Sequence, residues 1–457
     1  MESDDNSCIH REEGITKEMK DLTKGNPLKL IIWFALPIAL GNLFQQFYNM
    51  ADTRIVGSYL GENSLAAVGS TNSLNSMIIG FLLGMTNGFA IITARKFGAK
   101  NEKDLKRAVA ATFEIGIAVS LVLTIVSVVF LKPIMDFLNT PETILAEAMS
   151  YFRIILVGMT FSMLYNVVSG ILRAIGDAVT PLCFLIFSAL CNVGLDLLFV
   201  RVFHIGVAGA ALATIISQGL SFFLCLIYMW VKYPILRFGR EDLRLKKTLV
   251  GEMLSTGVSM GFMISFINIG SVALQTVINT FGENTIVAHT AARKITEIFM
   301  LPFSVFGAAM ATFAGQNMGA GRIDRVKTGL KQVLVLNFVW SAFVFVMSLT
   351  IVPLLIQAVT ATDVPEIIDT AAFYLRVDTS LYWVTAMIII IRNTMQGIGD
   401  SKTPIISSFI ELASKVLVAI LLAPKLDYFA IVLAEPISWV LMVIPLLFKW
   451  RKIAVDK

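Results

Sequence analysis

Acidic, amide and hydroxyl side chains recur inside apolar stretches of this sequence, at spacings that place them on shared helix faces. Asn192 and Asp196 lie one helical turn apart in an apolar run that extends over residues 183–200. Asp52 lies in an earlier apolar stretch, and Thr214 lies in a later one. Oxygen atoms of these types are the ligands that hard cations prefer, and two adjacent carboxylates disfavour being ionised together. If the three helices meet, this set could bind a proton or a sodium ion.

The stretch that contains Asp52 is also rich in amides. At 100° per residue, its amide side chains and Asp52 cover about a third of the helix circumference, which predicts an inward-facing polar stripe. Tyr48 precedes Asp52 by one turn, and Pro37 removes a helical hydrogen bond before the stripe and so allows a kink. The amides either line a cavity or hold neighbouring helices together; they are Asn42, Gln45 and Asn49.

The sequence also contains an internal duplication. The motif Gly-Asp-x-x-Thr-Pro begins at Gly176 and again at Gly399, 223 residues later. The same offset places Tyr151 on Tyr374, and an offset of 221 aligns the beginnings of the two halves. In each copy Thr-Pro opens the next helix, and the aspartate is expected to bond to neighbouring backbone as a structural hinge. Repeats within a membrane chain are typical of transporters.

Composition places both halves in a membrane. Apolar residues make up 56% of the 457 residues and charged residues 15%. This predicts an all-α integral membrane protein with twelve transmembrane helices in two pseudo-symmetric six-helix lobes. The spans are expected at roughly 28–54, 64–94, 108–131, 143–172, 180–200, 206–231, 249–280, 287–314, 329–357, 367–395, 404–423 and 428–448. Because six is even, both lobes begin on the same side of the membrane.

The distribution of lysine and arginine predicts the orientation. Most of the 37 basic residues fall in the termini and in the loops after even-numbered spans, which the positive-inside rule makes cytoplasmic. We therefore expect a cytosolic N-terminal tail at 1–27, an N-lobe at 28–231, a cytoplasmic linker at 232–248, a C-lobe at 249–448 and a cytosolic C-terminal tail at 449–457. The net charge of +5 reflects this topology and does not indicate nucleic-acid binding.

The second half does not copy the aspartate pair. The offset places Asp52 on Ala273 and Asp196 on Ala419. The second half instead carries a different charged set, formed by Glu411, Lys415 and Glu435. We interpret this set as a buried salt bridge, with a second titrating cluster as the alternative. In either case, the predicted coupling site belongs to the first half.

The duplicated six-span halves, the turn from Leu172 to Asp177 that leads into Thr180-Pro181, and its second copy closely resemble the multidrug and toxic compound extrusion (MATE) transporters of bacteria. The resemblance covers about residues 25–450. Within that family, the prokaryotic branch with an N-lobe site is the more similar one. The resemblance implies that a set of residues in this chain binds the coupling cation. It also implies that straightening or bending of the first span accompanies ion exchange. The matching positions are Pro37, Tyr48, Asp52, Tyr151, Asn192, Asp196 and Thr214.

Another branch of the family carries a glutamate within span 7. Here the corresponding stretch, 257–269, has none, and Glu252 lies at the mouth of the helix. This departure argues against sodium coupling of that type in the C-lobe.

Together these features predict an ion-coupled antiporter that exports amphipathic, often cationic organic compounds across the cytoplasmic membrane by alternating access. The coupling ion is a proton, sodium or both, and no cofactor or metal is expected. We expect a monomer whose partners are drug-like small molecules and the lipid bilayer. The four cysteines and three histidines are scattered, so an enzyme is not indicated. The alternatives are a lipid-linked oligosaccharide flippase of the same superfamily, which would need several mid-span basic residues, and a membrane scaffold.

Overall fold

The computed structural model describes residues 21–137, 140–244 and 246–455. Within these residues the chain is helical almost throughout and contains no strand. The first half forms α1 (Pro27–Leu60), α2 (Glu62–Gly98), α3 (Glu102–Val129), α4 (Leu131–Phe137), α5 (Glu142–Ala174), α6 (Val179–Asp196) and α7 (Val207–Lys232). The second half forms α8 (Lys247–Ile278), α9 (Glu283–Gly319), α10 (Ile323–Thr350), α11 (Val352–Thr360), α12 (Pro365–Ser380), α13 (Tyr382–Ile398), α14 (Lys402–Leu417), α15 (Ala423–Leu426) and α16 (Tyr428–Val455).

Eleven of the described helices or helix runs are long and apolar enough to cross a membrane, and a bent pair supplies a twelfth span. That pair is the span predicted over 367–395, and it is bent. The helix breaks at Leu381, and α12 and α13 differ in direction by 53°. The predicted span over 329–357 also divides, because Pro353 lacks a backbone N–H and starts the short helix α11.

The described residues form two compact units. The first contains Leu36–Val258, and the second contains Thr23–Ala35 and Ser259–Lys457. Helix α1 is therefore shared between the units, and the division falls two residues before Pro37. Helix α8 is divided in the same manner after Val258.

Close helix packing holds the first unit together. The hydrophobic core is built from α2, α3, α5 and α7 around Phe89, Phe152 and Met163, which are almost fully buried. An ideal Cβ on Gly88 would lie 2.6 Å from Cα of Gly257, so α2 and the first part of α8 touch through their backbones. Small residues allow such close contacts between helices in a membrane.

The outer faces remain apolar. On α10, Val335, Val339, Phe343 and Val346 are each more than half exposed at helical spacing. On α3, Val122, Ile125 and Val129 form a similar stripe. Stripes of this kind suit contact with lipid acyl chains, which agrees with the hydropathy of these helices.

The repeated motif folds as predicted. In the first copy, Oδ1 of Asp177 accepts hydrogen bonds from the backbone N–H groups of Val179 and Thr180, at 3.2 and 3.0 Å. In the second copy, Oδ1 of Asp400 accepts from Lys402 and Thr403, both at 3.1 Å. Each aspartate thus satisfies donors at the beginning of the helix that Thr-Pro opens.

Candidate functional site

Two acidic side chains come together inside the first unit. Asp196 ends α6 and is fully buried, while Asp52 lies half-buried on α1. Their carboxyl groups are close enough to interact directly. Among the described residues, neither oxygen of Asp196 has a hydrogen-bond donor, nor does Oδ1 of Asp52. Buried carboxylate oxygens are costly unless something satisfies them, so this pair is suited to binding a proton or a cation.

A hydroxyl group on α7 connects the aspartates to their polar neighbours. Oγ1 of Thr214 lies 3.4 Å from the Tyr48 hydroxyl, and it accepts a hydrogen bond from the Asn192 amide at 3.3 Å. Thr214 itself donates to the Ala210 carbonyl one turn earlier, at 3.1 Å, which holds its side chain in position. Oδ1 of Asn192 is buried and has no donor within the described part of the chain. It therefore adds a fourth unsatisfied oxygen atom to the three of the two carboxyl groups.

Tyr151 on α5 completes this group. The residue is 8% exposed, and its hydroxyl lies within electrostatic reach of Asp52 and Asp196. The structure thus brings together, from four helices, all six residues that the sequence assigned to ion coupling. Those residues are Tyr48, Asp52, Tyr151, Asn192, Asp196 and Thr214.

The chain changes its helical geometry directly after Asp196. Residues Leu197–Val202 form a π-helical segment, and Val418–Leu422 form another at the corresponding place in the second half. A π-helical insertion is uncommon and is often associated with functional sites in helices. Here it follows the buried aspartate at the point where α6 leaves the cluster. The sequence repeat did not predict it.

The amide stripe on α1 is placed differently from the aspartates. Asn42, Gln45 and Asn49 are exposed, and within the described contacts Gln45 bonds only to Asn49, one turn along its own helix, at 3.4 Å. These amides therefore do not hold α1 to other helices of the first unit. Neighbouring apolar residues on α1 are exposed as well, including Phe47 and Met50.

The second unit contains a cluster of buried ion pairs. Nζ of Lys415 lies 2.9 Å from Oε1 of Glu411 and 3.0 Å from Oε1 of Glu435. Arg392 approaches Glu411 at 3.9 Å, and Arg293 approaches Glu435 at 3.5 Å. The cluster contains the salt bridge predicted from the sequence, extended by two arginines. Each carboxylate there faces basic groups, unlike the aspartates of the first unit.

One buried carboxylate was missed by the sequence reasoning. Asp378 on α12 is fully buried, and its Oδ2 accepts hydrogen bonds from Tyr382 at 3.0 Å and from Thr296 at 3.3 Å. Arg293 is also within electrostatic reach. The signal was available, because Asp378 lies inside a predicted span, where any acidic residue is a functional candidate.

Glu252 is placed as the sequence suggested, near the beginning of α8. Its carboxylate forms an ion pair with Arg95 of α2, at 2.9 Å. Both residues belong to the first unit, and the pair lies outside the aspartate cluster.

Comparison with known proteins identifies the family. The family model MatE matches residues 37–198 and 259–421, one match in each half of the chain. The chain belongs to the MatE family. These are multidrug efflux transporters, and the MatE assignment confirms both the resemblance noted in the sequence and the all-helical membrane fold.

Two relatives of this MatE chain are described as probable multidrug resistance proteins. It is 31% identical over 306 residues to "Probable multidrug resistance protein YpnP" of Bacillus subtilis, covering 67% of this chain and 68% of the relative. It is 24% identical over 452 residues to "Probable multidrug resistance protein NorM" of Thermotoga maritima, covering 93% and 94%. A solved structure described as the outward-facing conformation of a multidrug resistance MATE family transporter superposes with a TM-score of 0.88. That superposition covers 96% of this chain and 99% of the other, at 22% identity.

Proposed function

We propose that this MatE chain is an ion-coupled antiporter that exports amphipathic, often cationic organic compounds. The observation that carries the proposal is the aspartate pair of the first unit. Asp196 is fully buried, Asp52 lies beside it, and three of their four oxygens have no donor in the described part of the chain. A site of this composition changes its charge when it gains or loses a proton or a sodium ion.

The pair lacks a basic partner, which distinguishes it from a structural salt bridge. Within the described residues, no lysine or arginine forms an ion pair with Asp52 or Asp196. Two carboxylates without a counter-ion repel each other in a site of low polarity. A coupling ion removes that repulsion, so its binding favours a different arrangement of α1 from the one that the empty site favours.

The neighbouring oxygens are suitable for either ion. A proton would bridge the two carboxyl groups, with Tyr48 and Tyr151 at the edge of the site. Sodium would use carboxylate oxygens together with Oδ1 of Asn192 and the hydroxyl of Thr214, because hard cations prefer oxygen ligands. The structure supports both assignments, and the assay below distinguishes between them.

Movement of α1 is the proposed link to the exported compound. Pro37 interrupts the hydrogen bonding of α1 before the part of the helix that lies at the aspartate pair, and a proline at this position permits bending. The exposed amides Asn42, Gln45 and Asn49 lie on the same helix and would move with it. Ion binding at Asp52 would therefore change the polar surface offered to a substrate. This is alternating access with α1 as the moving element.

The energy that the ion supplies is sufficient for concentrative export. One charge that crosses 100 mV contributes about 2.3 kcal/mol, which corresponds to a concentration ratio of about 50. One or two ions per cycle therefore support a modest uphill gradient. We propose that the protein acts as a monomer in the cytoplasmic membrane with both termini in the cytoplasm, as the distribution of basic residues indicates.

A flippase for pyrophosphate-linked lipids would need free basic groups within the membrane. Among the described residues of the second unit, Arg392 and Lys415 are buried and Arg293 is half-buried, and each is already engaged by Glu411 or Glu435. This pairing leaves them poorly suited to holding a pyrophosphate. Antiport is therefore the better supported function.

The test is ethidium efflux from proteoliposomes under an imposed pH gradient and, separately, under a sodium gradient. We expect wild type to follow one of the gradients, and Asp52→Asn and Asp196→Asn to lose gradient-driven efflux while being produced and folded normally. Glu252→Gln serves as the matched control, because it neutralises a carboxylate of the same unit outside the cluster. Normal coupled efflux by either aspartate variant would contradict the proposed site.

A further inference from the structure

A cavity of about 450 Å³ opens in the second unit at the repeated Gly-Asp turn. It lies where α9, α13 and α16 end and where α10 and α14 begin. Since these are ends of membrane-crossing helices, the cavity lies at one membrane surface. Its lining combines the apolar residues Met318, Ile398 and Ile453 with three lysines.

The three lysines give the cavity a positive charge. Lys402, Lys449 and Lys452 are exposed, and within the described residues none of them forms an ion pair. Among the described residues of the lining, Asp400 is the only acidic one, and its carboxylate already accepts hydrogen bonds. Its Oδ1 accepts from the two backbone N–H groups of the turn, and its Oδ2 accepts from the hydroxyl of Thr403 at 2.7 Å. The lysines thus remain available to an anion from outside.

The beginning of α14 contributes little to the attraction of an anion into the cavity. Its first N–H groups point to Asp400, and Pro404 has no N–H. An anion in the cavity would therefore be held by ammonium groups and not by the helix terminus. Three flexible lysines beside apolar residues favour a group that carries phosphate at one end and hydrocarbon at the other, because lysine stems also cover apolar surface.

The first copy of the turn is built differently. There the hydroxyl of Tyr233 donates to Oδ2 of Asp177 at 2.7 Å, and the tyrosine is 2% exposed. A buried aromatic ring therefore covers the first copy. The described residues that line the cavity at the second copy include no aromatic residue, and Oδ2 of Asp400 accepts a hydrogen bond from Thr403 of its own turn. The two copies of the turn therefore differ, because a buried tyrosine donates to the aspartate of the first and a basic cavity opens at the second.

We propose that this cavity binds the phosphate group of an anionic phospholipid from the adjoining leaflet. The lysines contact the phosphate, and the apolar residues contact the glycerol and the beginnings of the acyl chains. Basic residues at a membrane surface are attracted to anionic lipid, and basic pockets between helices hold such headgroups. None of these residues belongs to the aspartate cluster, so the inference does not depend on ion coupling.

The experiment measures binding of a fluorescent phosphatidylglycerol to the purified full-length protein in detergent micelles. Wild type is compared with Lys449→Gln/Lys452→Gln. The control is Lys103→Gln/Lys247→Gln, which removes the same charge from exposed helix ends in the first unit. Loss of two lysines near the headgroup should weaken binding about 30-fold in the cavity variant and leave the control unchanged. Phosphatidylcholine with the same acyl chains should bind weakly to all three proteins.

Three results would overturn the proposal. The first is equal affinity of the cavity variant and wild type for phosphatidylglycerol. The second is an equal loss in the control, which would indicate a general effect of surface charge. The third is displacement of the lipid by inorganic phosphate at similar concentration, which would identify a soluble phosphate as the ligand. Thermal unfolding of each variant in phosphatidylcholine, expected to match wild type, verifies that the substitutions preserve the fold.

Discussion

Replacement of Lys415 by methionine should destabilise the second unit strongly. The lysine side chain is 2% exposed and lies within 3.0 Å of two carboxylates, Glu411 and Glu435. Its removal takes away the nearest counter-ion of both buried carboxylates. Breaking a buried ion pair from one side costs about 3–5 kcal/mol.

The expected cost lies at the lower end of that range. Arg392 and Arg293 remain, at 3.9 and 3.5 Å from the two carboxylates, and offset part of the lost attraction. A loss of about 3 kcal/mol corresponds to a fall of roughly 6–12 °C in the melting temperature of a domain of this size. Thermal unfolding of the detergent-solubilised protein measures the change.

The double variant Lys415→Met/Glu411→Gln is the matched control. It restores the net charge that the cluster has in wild type, and Arg392 keeps its hydrogen bond to Ser408 at 3.2 Å. At least half of the lost melting temperature should return. A melting temperature within 2 °C of wild type in Lys415→Met would refute the structural role. If that variant also lost coupled efflux, the cluster would be a titrating site after all.

Three further predictions concern the first half. Thr214→Val should reduce coupled efflux several-fold at unchanged melting temperature, because it removes the hydroxyl that contacts both the tyrosine and the asparagine of the site. Thr214→Ser keeps this hydroxyl and should retain efflux. Equal efflux rates in the valine and serine variants would contradict this role. Gly88→Ala should lower the melting temperature by several degrees, since the added Cβ meets the facing backbone at 2.6 Å, and an unchanged value would contradict that contact. A membrane-impermeant maleimide applied outside cells should label Lys132→Cys and not Lys103→Cys; the reverse pattern would invert the proposed orientation.

The span pattern was predictable because hydropathy alone defines it. Each predicted span corresponds to a described helix, or to a bent or divided one. The bend at Leu381 could not be predicted, because no proline or glycine marks it and the surrounding residues suit a continuous helix. The break before α11 could have been predicted, because Pro353 disfavours continuation of a helix.

The candidate site was predictable for a similar reason. Acidic residues are few within the spans of the first half, so Asp52 and Asp196 were conspicuous, and Asn192 lies one turn from Asp196. Periodicity placed Asn192 and Asp196 on one face of α6, but it could not establish that α1 and α7 approach that face. The hydrogen bonds of Thr214 supply this information.

The duplication predicted features that the two halves share and did not predict where they differ. It predicted the Asp177 and Asp400 turns, both of which bond to backbone as expected. It gave no indication that Tyr233 covers one turn while a cavity opens at the other. Asp378 has no role in the repeat motif, so the duplication gave no indication of this buried aspartate.

The most direct test of the central claim is ion movement driven by the exported compound. Proteoliposomes that contain a pH indicator or a sodium indicator receive an outward ethidium gradient with no imposed ion gradient. The account predicts a counter-flow of one ion in wild type and its absence in Asp196→Asn, with normal ethidium binding in both proteins. Undiminished counter-flow in Asp196→Asn would contradict the assignment of the coupling site to the aspartate pair.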